Sequence, residues 1–380
     1  MTMASSQTFE ILVLPGDHIG PEIMTEALKV LDTLEKIRPG LRFNKTFDIA
    51  GGSSIDKHGT PITEDVLRRA AESDAVLFGS VGGPEWEGKV PTPESALLRL
   101  RKHLDAFANV RPCKFITPNL TSRSPLKHEV VQGTDIIFVR ENCGGAYFGD
   151  KVEDNGEYAS DTWGYSAEEV KRCARVSAAI AEIAGAENGG KPAAVWSADK
   201  YNVLANSRLW RRVTEEVFKT EFPHIHLRNQ LADSMAMHLV TNPRHYNGVC
   251  HTDNTFGDIL SDLAGGVLGT LGMLPSASLS GIPGPGKKCK GIYEPIHGSA
   301  PDISGKGIAN PIGEILSVAM MLRYSLALPN EAKLVEDAVS YILERPEEGG
   351  LGLVTADLGG KATTVEVGDA ICKRIAELST

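Results

Sequence analysis

The segment Asn254-Thr-Phe-Gly-Asp258-Ile-Leu-Ser-Asp262 carries two aspartates four residues apart. On a helix that spacing stacks both carboxylates on one face. Neighbouring anions repel, and these two sit among Phe256, Ile259, Leu260 and Leu263, with a glycine-rich run following at 265–269. Carboxylates in apolar company require a partner, and oxygen donors suit a hard divalent cation, Mg2+ or Mn2+. The plain alternative for such a pair is a solvated acidic helix face.

Other residues suit the same chemistry. Arg101 and Arg111 flank a compact segment, and Arg140 ends the strongest strand-like run, Asp135-Ile-Ile-Phe-Val-Arg140. Arginine grips carboxylates with two parallel hydrogen bonds, so three arginines beside a cation suit a dicarboxylate, although each alone reads equally as a surface ion-pair residue. Tyr147 lies in Gly144-Gly-Ala-Tyr147-Phe-Gly149, where glycines bend the backbone and present the phenol. Lys200 follows a buried strand and is placed to shuttle a proton. In His297-Gly298-Ser299-Ala300-Pro-Asp302 small residues allow close backbone approach, His297 offers a ring face and Asp302 an acceptor for ribose hydroxyls. Read as a mere turn, the same segment needs no ligand. No G-x-G-x-x-G follows a strand, so the usual dinucleotide fingerprint is absent.

The elements that hold these residues alternate between strand and helix. The pattern predicts strands over 9–14, 41–49, 75–79, 135–140 and 192–196. It predicts helices over 21–34, 63–73, 94–107, 166–184, 207–219, 311–326, 331–344 and 364–378, with a long loop over 279–308. Such alternation implies an α/β architecture with a largely parallel sheet. The chain has 380 residues, enough for two domains, and no linker separates them, so two domains must interweave through the sheet. Composition is that of a soluble globular protein, 42% hydrophobic and 23% charged. A net charge of -10 argues against nucleic-acid binding. No apolar run is long enough to span a membrane, and residues 1–8 lack a leader pattern, so the expected location is cytoplasmic. Six cysteines (113, 143, 173, 250, 289, 372) without C-x-x-C spacing read as free thiols.

Segments 14–22, 101–112, 199–204, 254–262 and 294–311 together resemble the metal-dependent β-decarboxylating dehydrogenases, and the resemblance runs through nearly the whole chain. Glu94-Ser-Ala-Leu97-Leu98-Arg-Leu-Arg101 is similar to the isopropylmalate branch, in its fungal form. The resemblance implies two interwoven α/β domains sharing a large mixed sheet, not a standard Rossmann fold. Residues 1–106 plus 269–380 would bind NAD, and 107–268 would hold substrate, metal and the subunit contact. The implied substrate is a 3-substituted malate, oxidised and decarboxylated. Arg101, Arg111 and Arg140 would hold its carboxylates, and Leu97 and Leu98 its alkyl group. Asp233, Asp258 and Asp262 would bind Mg2+ or Mn2+, Asp233 and Asp258 also facing substrate. Lys200 would act as base and Tyr147 as the acid that protonates C3. Glu294, His297, Gly298, Ser299, Ala300, Asp302 and Asn310 would contact NAD, Asp302 disfavouring a 2′-phosphate. Asp233 and Lys200 would come from the neighbouring subunit, so the active site would be shared within a homodimer.

His18 stands where glycine is common, in a loop that tolerates it. Three places near the expected site also depart from the pattern: Tyr201 stands where alanine is usual, Asn142-Cys143 where leucine precedes threonine or valine, and Thr255 where a larger apolar residue is common. These suggest a second reading, a paralogue acting on a bulkier, aromatic or polar 3-substituted malate. Tartrate or malate chemistry fits the Leu97-Leu98 pair poorly. A non-catalytic regulatory subunit fits the presence of Lys200, Tyr147, Asp233, Asp258 and Asp262 poorly.

Overall fold

A computed structural model describes residues 7–379, apart from 188, 270, 285, 286 and 288; residues 1–6, read above as part of a leaderless start, lie outside it. Strand β1 (Gln7–Gly16) is followed by helix α1 (Gly20–Ile37), strand β2 (Leu41–Phe47), helices α2 (Gly52–His58) and α3 (Glu64–Glu72), strand β3 (Ala75–Ser80) and helix α4 (Ser95–His103). Strand β4 (Ala108–Lys114), helix α5 (His128–Val131) and strand β5 (Asp135–Glu141) come next, then a small hairpin of β6 (Lys151–Val152) and β7 (Ser160–Asp161). The chain continues through α6 (Ala167–Glu187), β8 (Val195–Asp199), α7 (Ala205–Glu221), β9 (Leu227–Leu231), α8 (Ala232–Thr241), β10 (Gly248–Thr252) and α9 (Asn254–Leu268). Strands β11 (Pro275–Leu279) and β12 (Gly291–Pro295) precede helices α10 (Ile312–Tyr324), α11 (Pro329–Leu343) and α12 (Thr364–Leu378).

The large sheet runs β2-β1-β3-β12-β11-β4-β5-β10-β8-β9. Its flanks are parallel, while β12–β11, β11–β4 and β4–β5 at the centre are antiparallel. It is therefore mixed, and both ends of the chain feed one side of it.

Alternation along each strand gives the sheet two different faces. On the first face Ile11, Val13, Leu77, Tyr293, Ala277, Val110, Val139, Val249 and Val195 join one continuous apolar cluster with α1, α6, α7, α10, α11 and α12. On the second face the apolar layer is divided. Leu12, Leu14, Val76, Phe78 and Ile292 pack with α3 and α4. Ile136, Phe138, Cys250 and Trp196 pack with α8 and α9. Between those two clusters lie the central strands.

Local sequence sets the element ends. Thr63 caps α3 by accepting from Val66 N, and Thr363 with Glu366 forms a capping box on α12. Pro21 sits in the first turn of α1, where its missing N–H costs nothing. The expected helix over 94–107 stops at His103, because the chain turns through Asp105 (φ 45) into β4, a strand with Pro112 inside it. The expected loop over 279–308 is wrong in part: Gly291–Pro295 is the central strand β12. It and β11 (Pro-Ser-Ala-Ser-Leu) are short, fully buried and bounded by glycine or proline, so neither shows period-two alternation. Strands β9 and β10 and helix α8 also escaped the periodicity. All six cysteines are free. Among the described residues no helix is long and apolar enough to cross a membrane.

His251 on β10 is fully buried, Nδ1 2.9 Å from Ser177 Oγ, Nε2 3.2 Å from Thr214 Oγ1, and its ring centroid 4.6 Å from that of Trp210. Burial drives its pKa from 6.5 down to about 3. The unfolded chain takes up a proton there that the folded chain refuses, so this contribution to stability is present above pH 6.5 and is lost as pH falls towards 3. His251→Gln should flatten the fall of the urea midpoint between pH 6.5 and 4 relative to the wild type.

Candidate active site

On the second face, where the two apolar clusters end, the central strands switch to polar side chains. Glu294 points there from β12, Ser276 and Ser278 from β11, Asn109 and Arg111 from β4, and Arg140 from β5, all of them buried. Arg101 reaches the same band from α4, its Nη2 donating to Glu294 Oε1 at 2.8 Å. Arg111 Nε donates to Asn109 Oδ1 at 2.7 Å, and its Nη1 to Ser261 Oγ and Asp262 Oδ1, each at 2.9 Å. Arg140 donates from Nε and Nη2 to Asn254 Oδ1, at 2.9 and 2.7 Å, and from Nη1 to Asp258 Oδ1. Burial and the positive charge of Arg111 hold the Arg140 guanidinium down at about 10, with Asp258 acting the other way. It is still a cation at neutral pH. Three guanidiniums thus share one buried band, an environment that favours a polyanionic ligand.

Helix α9 supplies the carboxylates. Its N-cap Asp253 accepts from Phe256 N at 2.9 Å, and Gly269 closes it in the left-handed conformation (φ 72). Asp258 and Asp262 do share a face, both turned to Arg111 Nη1, at 3.8 and 2.9 Å. The partner expected of this pair is therefore arginine in the structure. Their side chains remain 33% and 63% exposed, so oxygen ligands for a hard cation are reachable. Tyr147 donates from Oη to Asp258 Oδ2 at 2.8 Å, its ring centroid 5.5 Å from Arg140 Cζ. Burial and the Asp258 carboxylate push the phenol above its usual 10, so it is held protonated, as a proton donor must be.

Two expected site residues stand apart. Lys200, just past β8, and Asp233, in the first turn of α8, meet each other with Nζ 2.6 Å from Oδ2. Neither contacts Asp258, Asp262 or Tyr147. Among the described residues no three Asp, Glu, His or Cys side chains converge as a metal cluster.

A largely apolar cleft of about 500 Å³ lies beside the band, lined by Ile19, Gly272, His297, Gly298, Ala300, Ile303, Ile308, Asn310, Ala356 and Asp357. His297 Nε2 is buried without a partner, and nothing lies within 4 Å of where a Gly298 Cβ would stand. An unsatisfied ring nitrogen beside open backbone suits a flat heteroaromatic group. Asn310 donates from Nδ2 to Asp357 Oδ2 at 3.0 Å. Ser299 is used internally, its Oγ donating to Gly82 O at 2.8 Å. Asp302 is exposed on the turn Pro301–Ile303 and does not line the cleft. Leu97 packs partly against the second-face core, whereas Leu98 is 43% exposed, apolar surface with no cover.

The family of isocitrate/isopropylmalate dehydrogenases matches residues 10–371. The chain belongs to that family. A 3-isopropylmalate dehydrogenase of Hapsidospora chrysogena is 63% identical over 98% of both chains, and one of Schizosaccharomyces pombe is 52% identical over 97% of this chain and 99% of the other. Among solved structures, an isocitrate dehydrogenase from Methylococcus capsulatus superposes with TM-score 0.80 at 29% identity, covering 97% and 99%. A β-decarboxylating dehydrogenase from Thermococcus kodakarensis gives TM-score 0.77 at 35% identity, covering 97% of each.

Two of the departures from the family pattern have partners within the chain. Asn142 is buried and donates at 3.3 Å to Ser278 Oγ, which also accepts from Asn109 at 3.1 Å, so it joins the edge of the polar band. The Tyr201 ring lies under Arg211, 4.0 Å from Cζ, and Arg211 is itself held by Asp199 at 2.7 and 2.8 Å. Thr255 carries a buried hydroxyl without a partner. Sequence reasoning missed Asn254, Glu141, Asp357 and Glu314. Only Asn254 lay inside a motif that had been singled out. Glu314, in the first turn of α10, is fully buried with neither oxygen partnered, and burial with Glu294 nearby holds its pKa well above the ordinary value.

Removing one side of the buried Arg101–Glu294 pair strands the other charge. Arg101→Met should cost about 3–5 kcal/mol of unfolding free energy, read by urea titration, and the double variant with Glu294→Gln should recover most of it.

Proposed function

We propose that this chain catalyses the NAD-dependent oxidative decarboxylation of 3-isopropylmalate, the leucine-pathway step, in the cytoplasm. The observation that carries the reading is the buried band of three guanidiniums beside two aspartates, a tyrosine and an uncovered leucine. It matches a substrate with two carboxylates, a hydroxyl and a branched alkyl group. Arg101, Arg111 and Arg140 bind and orient the carboxylates, and Leu98 takes the isopropyl group with Leu97 behind it. Tyr147, held protonated, donates to C3 after carbon dioxide leaves. The names of the relatives favour 3-isopropylmalate over the bulkier malates that Tyr201, Asn142, Cys143 and Thr255 suggested.

Asp258, Asp262 and a second subunit's Asp233 would hold Mg2+ or Mn2+; carboxylate oxygens are the donors such an ion prefers. The cation supplies polarisation that favours negative charge on the C2 oxygen. NAD supplies the hydride acceptor, with its adenosine part in the cleft formed by His297, Gly298, Ala300 and Asn310, and Asp357 added to that set. Residues 1–106 plus 269–380 carry this cofactor region, and 107–268 carry the acidic helix and the subunit contact. Lys200 takes the proton from the C2 hydroxyl. Since it lies apart from Tyr147 and Asp258 within one chain, it serves the site of a second copy in a homodimer.

Purified protein should form NADH from 3-isopropylmalate with Mg2+ or Mn2+ and stop on chelation. An efficient rate with an arylmalate and a poor one with 3-isopropylmalate would sink the substrate assignment. Lys200→Met and Asp258→Asn should each abolish turnover. Refolded together, they should regain about one quarter of wild-type activity, because half of the random dimers carry one intact shared site. No recovery would rule out a site shared between copies.

A further inference from the structure

The amide of Asn254 joins two parts of the site that perform different tasks. It is fully buried at the start of α9. Its Oδ1 accepts from both Nε and Nη2 of Arg140, at 2.9 and 2.7 Å. Its Nδ2 donates to Gly144 O at 2.9 Å. With donors on one side and an acceptor on the other, only one orientation of the amide satisfies both. The Gly144 peptide is gripped at its other end too, because Glu141 accepts from Gly144 N at 2.8 Å and from Cys143 N at 3.1 Å. The next residue, Gly145 (φ 72), presses on Tyr165, where an added Cβ would stand 2.2 Å from Oη. Tyr165 Oη in turn accepts from the Asn254 backbone N at 3.0 Å. Tyr147 follows within a single turn, Gly145–Tyr147, so the Gly144 peptide sets where its backbone stands, and the bond from its Oη to Asp258 Oδ2 at 2.8 Å places the phenol.

We propose that Asn254 is a positioning residue: its one amide sets the substrate-gripping guanidinium of Arg140 and the loop bearing the proton donor Tyr147 in a single register. The proposal rests on the roles given above to Arg140 and Tyr147. Aspartate is the informative replacement, since it has the same shape and still accepts from Arg140. It loses the donor to Gly144 O and sets two oxygens against each other, which shifts the loop, while its added charge on Arg140 weakens the grip on an anionic substrate and is read in KM. A displacement of about 1 Å from the reacting atom is worth up to about 100-fold in rate.

The test is a double-substitution cycle on the metal-loaded enzyme with 3-isopropylmalate and NAD. Asn254→Asp should lower kcat by about 10–100-fold and raise KM through Arg140, the KM change being the same with or without Tyr147. In the Tyr147→Phe background the same substitution should lower kcat by less than about threefold, because the group it misplaces is already gone. Equal losses in both backgrounds would mean that Asn254 holds up the fold in general and would overturn the proposal. Full turnover by Tyr147→Phe alone removes the proton-donor role, and the proposal fails with it. If Asn254→Asp does not fold, Asn254→Ala replaces it in the cycle. Its KM increase, from a loosened Arg140, should persist in both backgrounds, and its kcat loss should appear only with Tyr147 in place; a kcat loss of equal size in both would again be overturning.

Discussion

Like charges brought together in a region shielded from water repel strongly. Arg101, Arg111 and Arg140 impose that problem on this molecule, and much of the site can be understood as its solution. Glu294 answers Arg101, Asp262 answers Arg111, and Asp258 with the Asn254 carbonyl answers Arg140. Each answering group arrives from an element other than the one that carries its arginine. The cations can be collected only if β12, α4, β4, β5 and α9 are all in place, so the binding site and the fold are specified by the same contacts.

The sheet topology makes the collection possible. An all-parallel sheet covered by helices would demand apolar side chains on both faces of its central strands. Here the antiparallel strands β11 and β4 lie at the centre, and the two apolar layers of the second face end there, with α9 meeting β4 through Arg111 and Cys113. The buried stretch between the layers is where serine, asparagine and arginine replace valine and isoleucine. The cleft lined by His297 and Asn310 adjoins it, at the turn that follows β12.

The sequence made legible the parts that rest on local pattern. The spacing of Asp258 and Asp262 placed both on one helix face, and the run into Arg140 was a clear strand. The alternation of elements gave the layer architecture, and a resemblance spread over many segments gave the family. What stayed hidden depends on pairing between distant segments. Strand β12 is five buried residues bounded by glycine and proline, and its neighbours are drawn from both ends of the chain. The service of Asn254 to Gly144 spans 110 positions, and no periodicity reports it. Asn142 was read from the sequence as lying near the site, but its partner Ser278 was not legible, because it is 136 positions away and only the β5–β4–β11 order brings the two together.

The unequal covering of the two faces also separates the forces that hold them. An unbroken apolar layer on the first face resists stretching, since opening it would expose core along its whole length. On the second face the apolar layer is interrupted by a polar seam, held by hydrogen bonds and ion pairs instead of by apolar contact. The two faces therefore answer differently to a change of solvent: salt and pH act on the seam, whereas the backing layer answers to whatever weakens apolar burial.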